Sequence, residues 1–410
     1  MNENSSAVTS RQKRGAVSLL LAMVLLGVFP LDVLLPSFPA LAAHFHHTPA
    51  DIALSISLFA LGIAFAQLLI GPLSDAIGRK GLLLTGMTVS MVGALGCVVT
   101  SDYTVFLIFR VVQALGCGCF VLSQALVQDL FEGEERDRLR ILMVTATGIF
   151  ISVSPLAGTF LQATLGWRGS FWLFTLLAAL VWLKAWWFLH NDRPTHRDRP
   201  LGFIQSYRKV LGNGEFVGYW LISAFAFACH FSFIVISPLI FMDQLQLAPY
   251  DFSLVLLAYG AAYVVGGLVA TVLSRRMNPE EQIVAGLSLI LLSGLVMLIL
   301  SSAFTLTITS VLIPMLICTA GTTIARPAAT SRAMDIFPHI AGTSASAGSI
   351  IIFICGGLIS ALISLSPTNL QSTLACSFLL LSGVALLLNQ WISRRRTHLA
   401  GQGVAQPRRP

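Results

Sequence analysis

Two ionisable side chains stand where charge is expensive. Of 18 acids, only Asp32, in Pro30-Leu31-Asp32-Val33-Leu34-Leu35-Pro36, lies well inside an apolar run. Arg110, in Arg110-Val111-Val112-Gln113-Ala114-Leu115-Gly116, is the matching basic rarity. An ionisable group in such a stretch is a functional candidate by default. The chemistry open to this pair is an exchange of partners, because burial favours a neutral carboxyl whereas a nearby guanidinium favours the carboxylate. Protonation of Asp32 would release Arg110, and an arriving solute could do the same. Proton and solute would then compete for one electrostatic state. The structural alternative is that the two residues merely satisfy each other between helices.

Other chemistry is poorly represented. No phosphate-binding Walker loop and no nucleophile set beside a base is visible, so neither an enzyme nor a cofactor is expected. His44, His46 and His47 cluster in one connection and read as a solvated loop, and no metal is assigned to them. The seven cysteines all lie in apolar stretches and read as small hydrophobic filler.

The elements that must position Asp32 and Arg110 are apolar helices. The chain has 410 residues, 56% hydrophobic and 10% charged, with a mean hydropathy of +0.82. Average soluble proteins carry about 25% charged residues, so a soluble enzyme, a nucleic-acid binder and a disordered chain are excluded. Apolar segments fall near 16–39, 52–73, 82–101, 104–126, 141–164, 169–189, 216–241, 252–273, 283–302, 305–325, 342–364 and 371–392. The first could be mistaken for a secretion signal ending at Ala40-Leu41-Ala42. From Ala16 to Leu35 it is about 20 residues, however, longer than the usual signal core of roughly 7–15, and it is read as an uncleaved span. The expected organisation is a tail (1–15), six helices (16–189), a polar central loop (190–215), six more helices (216–392) and a basic tail (393–410).

Basic residues give the orientation. If the N-terminus is cytoplasmic, 22 of the 25 lysines and arginines fall in cytoplasmic loops and tails. Arg326 and Arg332, flanking Pro327, are among them and read as topology residues, with contact to an anionic substrate as the alternative. Only Arg168 falls outside, while Arg110 and Lys184 lie within spans. Positive residues favour the cytoplasmic side, so both termini are expected there. The net charge of +7 is a topology signal rather than a nucleic-acid footprint. In this orientation Asp32 stands ~22 Å along the first helix, or ~8 Å short of the far face of a ~30 Å hydrocarbon core. Arg110 stands ~9 Å below the same face. The matching depths make contact feasible; rotation about each helix decides whether it occurs.

Gly71-Pro72-Leu73-Ser74-Asp75-Ala76-Ile77-Gly78-Arg79-Lys80 joins the second and third helices. It resembles the G-x-L-[SA]-D-R-x-G-R-[RK] loop of the major facilitator superfamily, with Ala76 where many members carry Arg. The resemblance implies a twelve-helix all-α fold of two pseudo-symmetric bundles. It also implies that Gly71, Asp75, Gly78, Arg79 and Lys80 form a conformational latch, Asp75 docking at the start of the eleventh helix. Arg110, Gln113 and Gly116 resemble the helix-4 R-x-x-Q-G motif of drug:proton antiporters. Leu31 to Pro36 and the segment Phe337-Pro338-His339-Ile340-Ala341-Gly342-Thr343-Ser344-Ala345 look like markers of the Bcr/CflA drug exporters. Ser154-Pro155-Leu156-Ala157-Gly158-Thr159 matches the helix-5 antiporter motif less faithfully; Pro155 and Gly158 remain, while Ser154 and Thr159 replace glycines.

The resemblance implies proton-coupled efflux of small amphipathic drugs, phenicols first, by alternating access in the bacterial inner membrane. Export of an endogenous metabolite or siderophore, and proton-driven uptake, are the alternatives. Gln67, Gln113, Gln124, Phe227, His230, Phe231, Tyr259 and Tyr263 are the candidates for the substrate cavity. The expected partners are a small molecule, protons and the lipid bilayer, with no nucleic acid, and the chain is expected to be a monomer.

Overall fold

The computed structural model of the chain describes residues 10–131, 133–189, 203–337, 341–366 and 369–401. Among the described residues there is no strand, and twelve helices are long and apolar enough to cross a membrane. In order these spans are Lys13–Phe45, Pro49–Ser74, Arg79–Val99, Tyr103–Val121, Ala146–Leu165, Arg168–Phe188, Gly214–Gln244, Pro249–Leu273, Pro279–Ala303, Ile308–Ile336, Thr343–Ser364 and Leu370–Arg396. Within the central connection, residues Phe203–Leu211 form a further short helix, and Tyr207 donates its hydroxyl to the Leu68 carbonyl at 3.1 Å.

Sequence chemistry sets several of the helix starts. Thr48 and Asp51 form a reciprocal capping box around Pro49, and Asn278 with Glu281 does the same around Pro279. Each satisfies backbone donors that the first helical turn leaves free, and proline at the first position removes another. Asp102 caps the fourth span by accepting from the Val105 amide at 2.9 Å.

Two expectations need correction. The first span is not one helix: its α-helix Ser10–Asp32 gives way to a tight 3-10 turn, Leu35–Ser37, and a second α-helix, Phe38–Phe45. Pro36 has no N–H for the carbonyl four residues back, which belongs to Asp32, so the regular ladder fails beside the buried acid. The tenth span continues to Ile336 instead of stopping at 325. Pro327, which marks a helix end by the rules of soluble proteins, lies inside this helix. Membrane helices tolerate an internal proline because neighbouring groups resatisfy the backbone. Arg326 therefore leaves the cytoplasmic loop and joins the span.

The two halves repeat the same packing. In the first, span three packs on four and six, two on four, and one on five and six. In the second, nine packs on ten and twelve, eight on ten, and seven on eleven and twelve. Adding six to each number in the first set produces the second, to which the second half adds a broad contact of seven on ten. Two seams join the halves, two against eleven and five against eight, and they are exchanged by the same operation.

Small residues permit these approaches, as close helix packing within a bilayer requires. Ser57 and Ser360 hydrogen-bond across the first seam at 2.8 Å. Across the second, a Cβ on Gly260 would lie 1.9 Å from the Ser152 hydroxyl oxygen. Thr159, a departure from the helix-5 motif, meets the Ser253 hydroxyl at 2.5 Å and donates to the Pro249 carbonyl at 3.2 Å.

Candidate functional site

Asp32 is 5% exposed at the point where the first span loses its α-helical form. One residue on, the Val33 carbonyl faces Gly158 of the fifth span so closely that a Cβ there would sit 2.1 Å from the oxygen. Pro155, one turn before Gly158, offers its carbonyl to the Ser253 hydroxyl of the eighth span at 3.3 Å. The two residues retained from the helix-5 motif thus hold the first span against the fifth and the fifth against the eighth. Tyr259, also of the eighth span, lies within electrostatic reach of Asp32. The acid is buried at the junction of the two halves.

Arg110 is wholly buried but does not pair with Asp32. Its Nη1 donates to Gln113 Oε1 at 2.8 Å and to the Pro30 carbonyl at 3.3 Å, while Nε and Nη2 have no partner among the described residues. The guanidinium lies over the ring of Phe59 at 4.2 Å, a cation–π contact that offsets part of the desolvation. The depths of the two residues do agree, since Arg110 reaches a carbonyl two residues from Asp32. Rotation separates them: the arginine points at the backbone where the first span loosens. A small pocket beside it is lined by Pro30, Val33, Gln113, Ser170 and Phe171, and Ser170 Oγ is also unpartnered among the described residues.

The loop after the second span turns on Gly78, whose φ of 98° and ψ of 162° lie in territory that is essentially restricted to glycine. Gly71 accepts the Ser74 hydroxyl at 2.7 Å, and Arg79 in turn donates to that hydroxyl oxygen. Lys80 lies 5.4 Å from the ring centroid of Trp186, tying the third span to the sixth. The side chain of Asp75 lies outside the described residues, and its docking at the start of the eleventh span lies outside them too. Gly78→Ala is expected to destabilise this corner by about 1–3 kcal/mol, read as a lower unfolding temperature of the detergent-purified protein. An unchanged temperature would show that the corner relaxes freely.

The expected cavity residues separate into two groups. Phe227, His230, Phe231, Tyr259 and Tyr263 gather in the second half. Tyr259 and His230 Nδ1 are hydrogen-bonded, the His230 ring lies 5.6 Å from that of Tyr263, and Phe227 stacks on Phe231 at 5.2 Å. Gln113 belongs to Arg110, Gln67 is buried with its amide oxygen unpartnered among the described residues, and the side chain of Gln124 lies outside them. The expected histidine loop needs correction: His44 lies in the helix Phe38–Phe45 and contacts Arg168 at 3.4 Å, while His47 beyond it contacts Asp51 at 3.4 Å.

The two arginines beside Pro327 part company. Arg326 turns into the second half, where its guanidinium stands 4.9 Å above the Phe227 ring. Arg332 pairs with Glu280 at 2.5 Å, Arg396 pairs with Glu280 at 3.0 Å and also with Glu215. This network links the ends of spans seven, nine, ten and twelve. A signal for the depth of Arg326 is present in the sequence: Ala325, Ala328 and Ala329 continue an apolar helical pattern through Pro327.

Residues 18–362 match the family profile described as Major Facilitator Superfamily. The chain belongs to this superfamily. Among the facilitator's relatives is a multidrug resistance protein MdtL of Salmonella heidelberg, 26% identical over 85% of this chain and 88% of the relative. A chloramphenicol resistance protein of Pseudomonas aeruginosa is 27% identical over 91% of this chain and 89% of its own length. The crystal structure of a D-xylose-proton symporter superposes with a TM-score of 0.73 at 15% identity, covering 92% of this chain and 97% of that one. That likeness concerns the fold. The twelve spans and the superfamily make this a multi-pass membrane transporter.

Proposed function

We propose that this facilitator exports small amphipathic drugs, phenicols among them, in exchange for protons across the bacterial inner membrane, by rocking two six-helix halves about a central site. The observation that carries the reading is the placement of Asp32, a lone acid buried in a broken span at the junction of the halves. A carboxyl group there can hold a proton in one arrangement of the halves and release it in another. Resistance to multiple drugs and to chloramphenicol, named for the two relatives above, supports the cargo class. The excess of basic residues on one face supports cytoplasmic termini and survives the reassignment of Arg326 to a span.

Arg110 has a modified role in this scheme. It is not the ion-pair partner of Asp32 in this conformation; it holds the Pro30 carbonyl and thereby sets how the first span bends beside the acid. The Gly71–Lys80 loop retains its proposed part as latch, with Gly78 and Arg79 shaping the corner.

The test is drug susceptibility in a hypersensitive host expressing the chain, phenicols first, together with accumulation of labelled chloramphenicol in energised cells. Raised resistance with lowered accumulation is the expected result. Unchanged susceptibility throughout would turn the assignment towards an endogenous cargo, and increased accumulation would make the protein an uptake carrier.

A further inference from the structure

We infer that the second half contains an anion-recognising subsite centred on Arg326 and Tyr263, suited to the carboxylate of an aromatic acid. The inference rests on the transporter reading above and adds to its cargo compounds that carry a negative group on an aromatic body.

Arg326 lies on the tenth span, ~27 Å along the helix from Ile308 and ~15 Å from its other end at Ile336. A cation at such depth is costly without a partner. The acids of the second half are all at span ends: Glu215, Asp243, Asp251, Glu280, Glu281 and Asp335. Among the described residues Arg326 makes no ion pair, and its buried Nε has no hydrogen-bond partner. The face of Phe227 offsets part of the cost, at 4.9 Å from the guanidinium. A face-on aromatic contact leaves the in-plane N–H groups unused, and these are the groups that match a carboxylate as a planar fork.

The surroundings supply the rest of a recognition site. Tyr263 is only partly buried, lies within electrostatic reach of Arg326, and has no hydroxyl partner among the described residues. His230 also lies within electrostatic reach of Arg326, but its Nδ1 is engaged by Tyr259. Phe227, stacked on Phe231 and edge-on to Phe353 at 5.6 Å, provides the apolar wall. One unpaired guanidinium, one free hydroxyl and a wall of rings fit an aromatic monoanion better than a neutral or cationic cargo. Asp32, across the junction, would repel that anion when ionised and admit it when neutral.

The test is equilibrium binding of naphthoate, compared with the neutral isostere naphthamide, to the full chain in detergent. A charge-assisted hydrogen bond of the usual strength corresponds to about tenfold to hundredfold tighter binding of the acid. Arg326→Gln should erase that preference and Arg326→Lys should restore part of it, without altering the unfolding temperature. Tyr263→Phe, a milder change, should reduce the preference severalfold and serves as the second probe if the arginine variant misfolds.

Equal affinity for acid and amide, binding of neither, or a preference that survives Arg326→Gln would overturn the subsite. Because the readout is binding without transport, a failure of drug export with the acid preference intact would refute only the export reading. Phenicol export with no acid preference would refute only the subsite.

Discussion

Asp32→Asn is expected to abolish proton-driven export while leaving a folded protein in the membrane. Asparagine nearly preserves the volume and polarity of aspartate but cannot gain or lose a proton. At a residue only 5% exposed and embedded in an apolar span, the wild-type carboxyl changes charge only if the protein supplies a favourable setting for each form. In the proposed cycle, removing that choice removes the step by which a proton gradient biases the two arrangements of the halves. Inverted vesicles containing the variant should therefore show no drug uptake above background when a proton gradient is imposed. Exchange of labelled for unlabelled drug, which needs the rocking motion but no net proton movement, should persist. That contrast separates lost coupling from lost folding. Proton-driven uptake at the wild-type rate would show that the coupling group is elsewhere.

The second large effect is expected from Gly158→Leu. Even the first added carbon would stand 2.1 Å from the Val33 carbonyl oxygen, and the obstacle is backbone rather than a movable side-chain end. The first and fifth spans must then separate beside Asp32. Overpacking of this kind typically destabilises by about 1–3 kcal/mol. The functional loss should be larger than the stability loss, because the displaced backbone carries the proposed coupling acid. Gly158→Ala should fall between wild type and Gly158→Leu in both unfolding temperature and transport rate. Wild-type transport by Gly158→Leu would show that this contact is not held through the cycle. The measured pair, unfolding temperature and vesicle uptake on the same preparation, distinguishes a loosened helix from a misplaced carboxyl.

The candidate site is partly legible in the sequence. Asp32 is conspicuous there because one acid in a long apolar run is a local anomaly, detectable without knowing its neighbours. Gly78 is also legible, since a glycine at fixed spacing in a short charged loop implies a turn, and its backbone does adopt a glycine-favouring conformation. The place of Arg326 is hidden by Pro327, because in soluble helices an internal proline ends the element. In a packed membrane helix it does not, and the span runs on to Ile336. Thr159 looks like motif decay, yet its hydroxyl joins the fifth span to the eighth through Ser253 and Pro249. Helix–helix contacts of that kind involve residues 94 and 90 positions apart in the chain, and hydropathy carries no record of them.

What the amino-acid order determines by itself is depth. Hydropathy identifies the twelve spans, and a rise of 1.5 Å per residue sets Asp32 and Arg110 at one level. What only the tertiary structure decides is direction. Each residue along an α-helix turns the side chain by about 100°, so two groups at one depth can face each other or different neighbours. Asp32 is left at the junction of the halves, Arg110 is turned to the Pro30 carbonyl, and Arg326 is set over Phe227. Depth depends on transfer from water to hydrocarbon, which is summed residue by residue. Direction depends on which small residues let two backbones meet, and that is settled between helices.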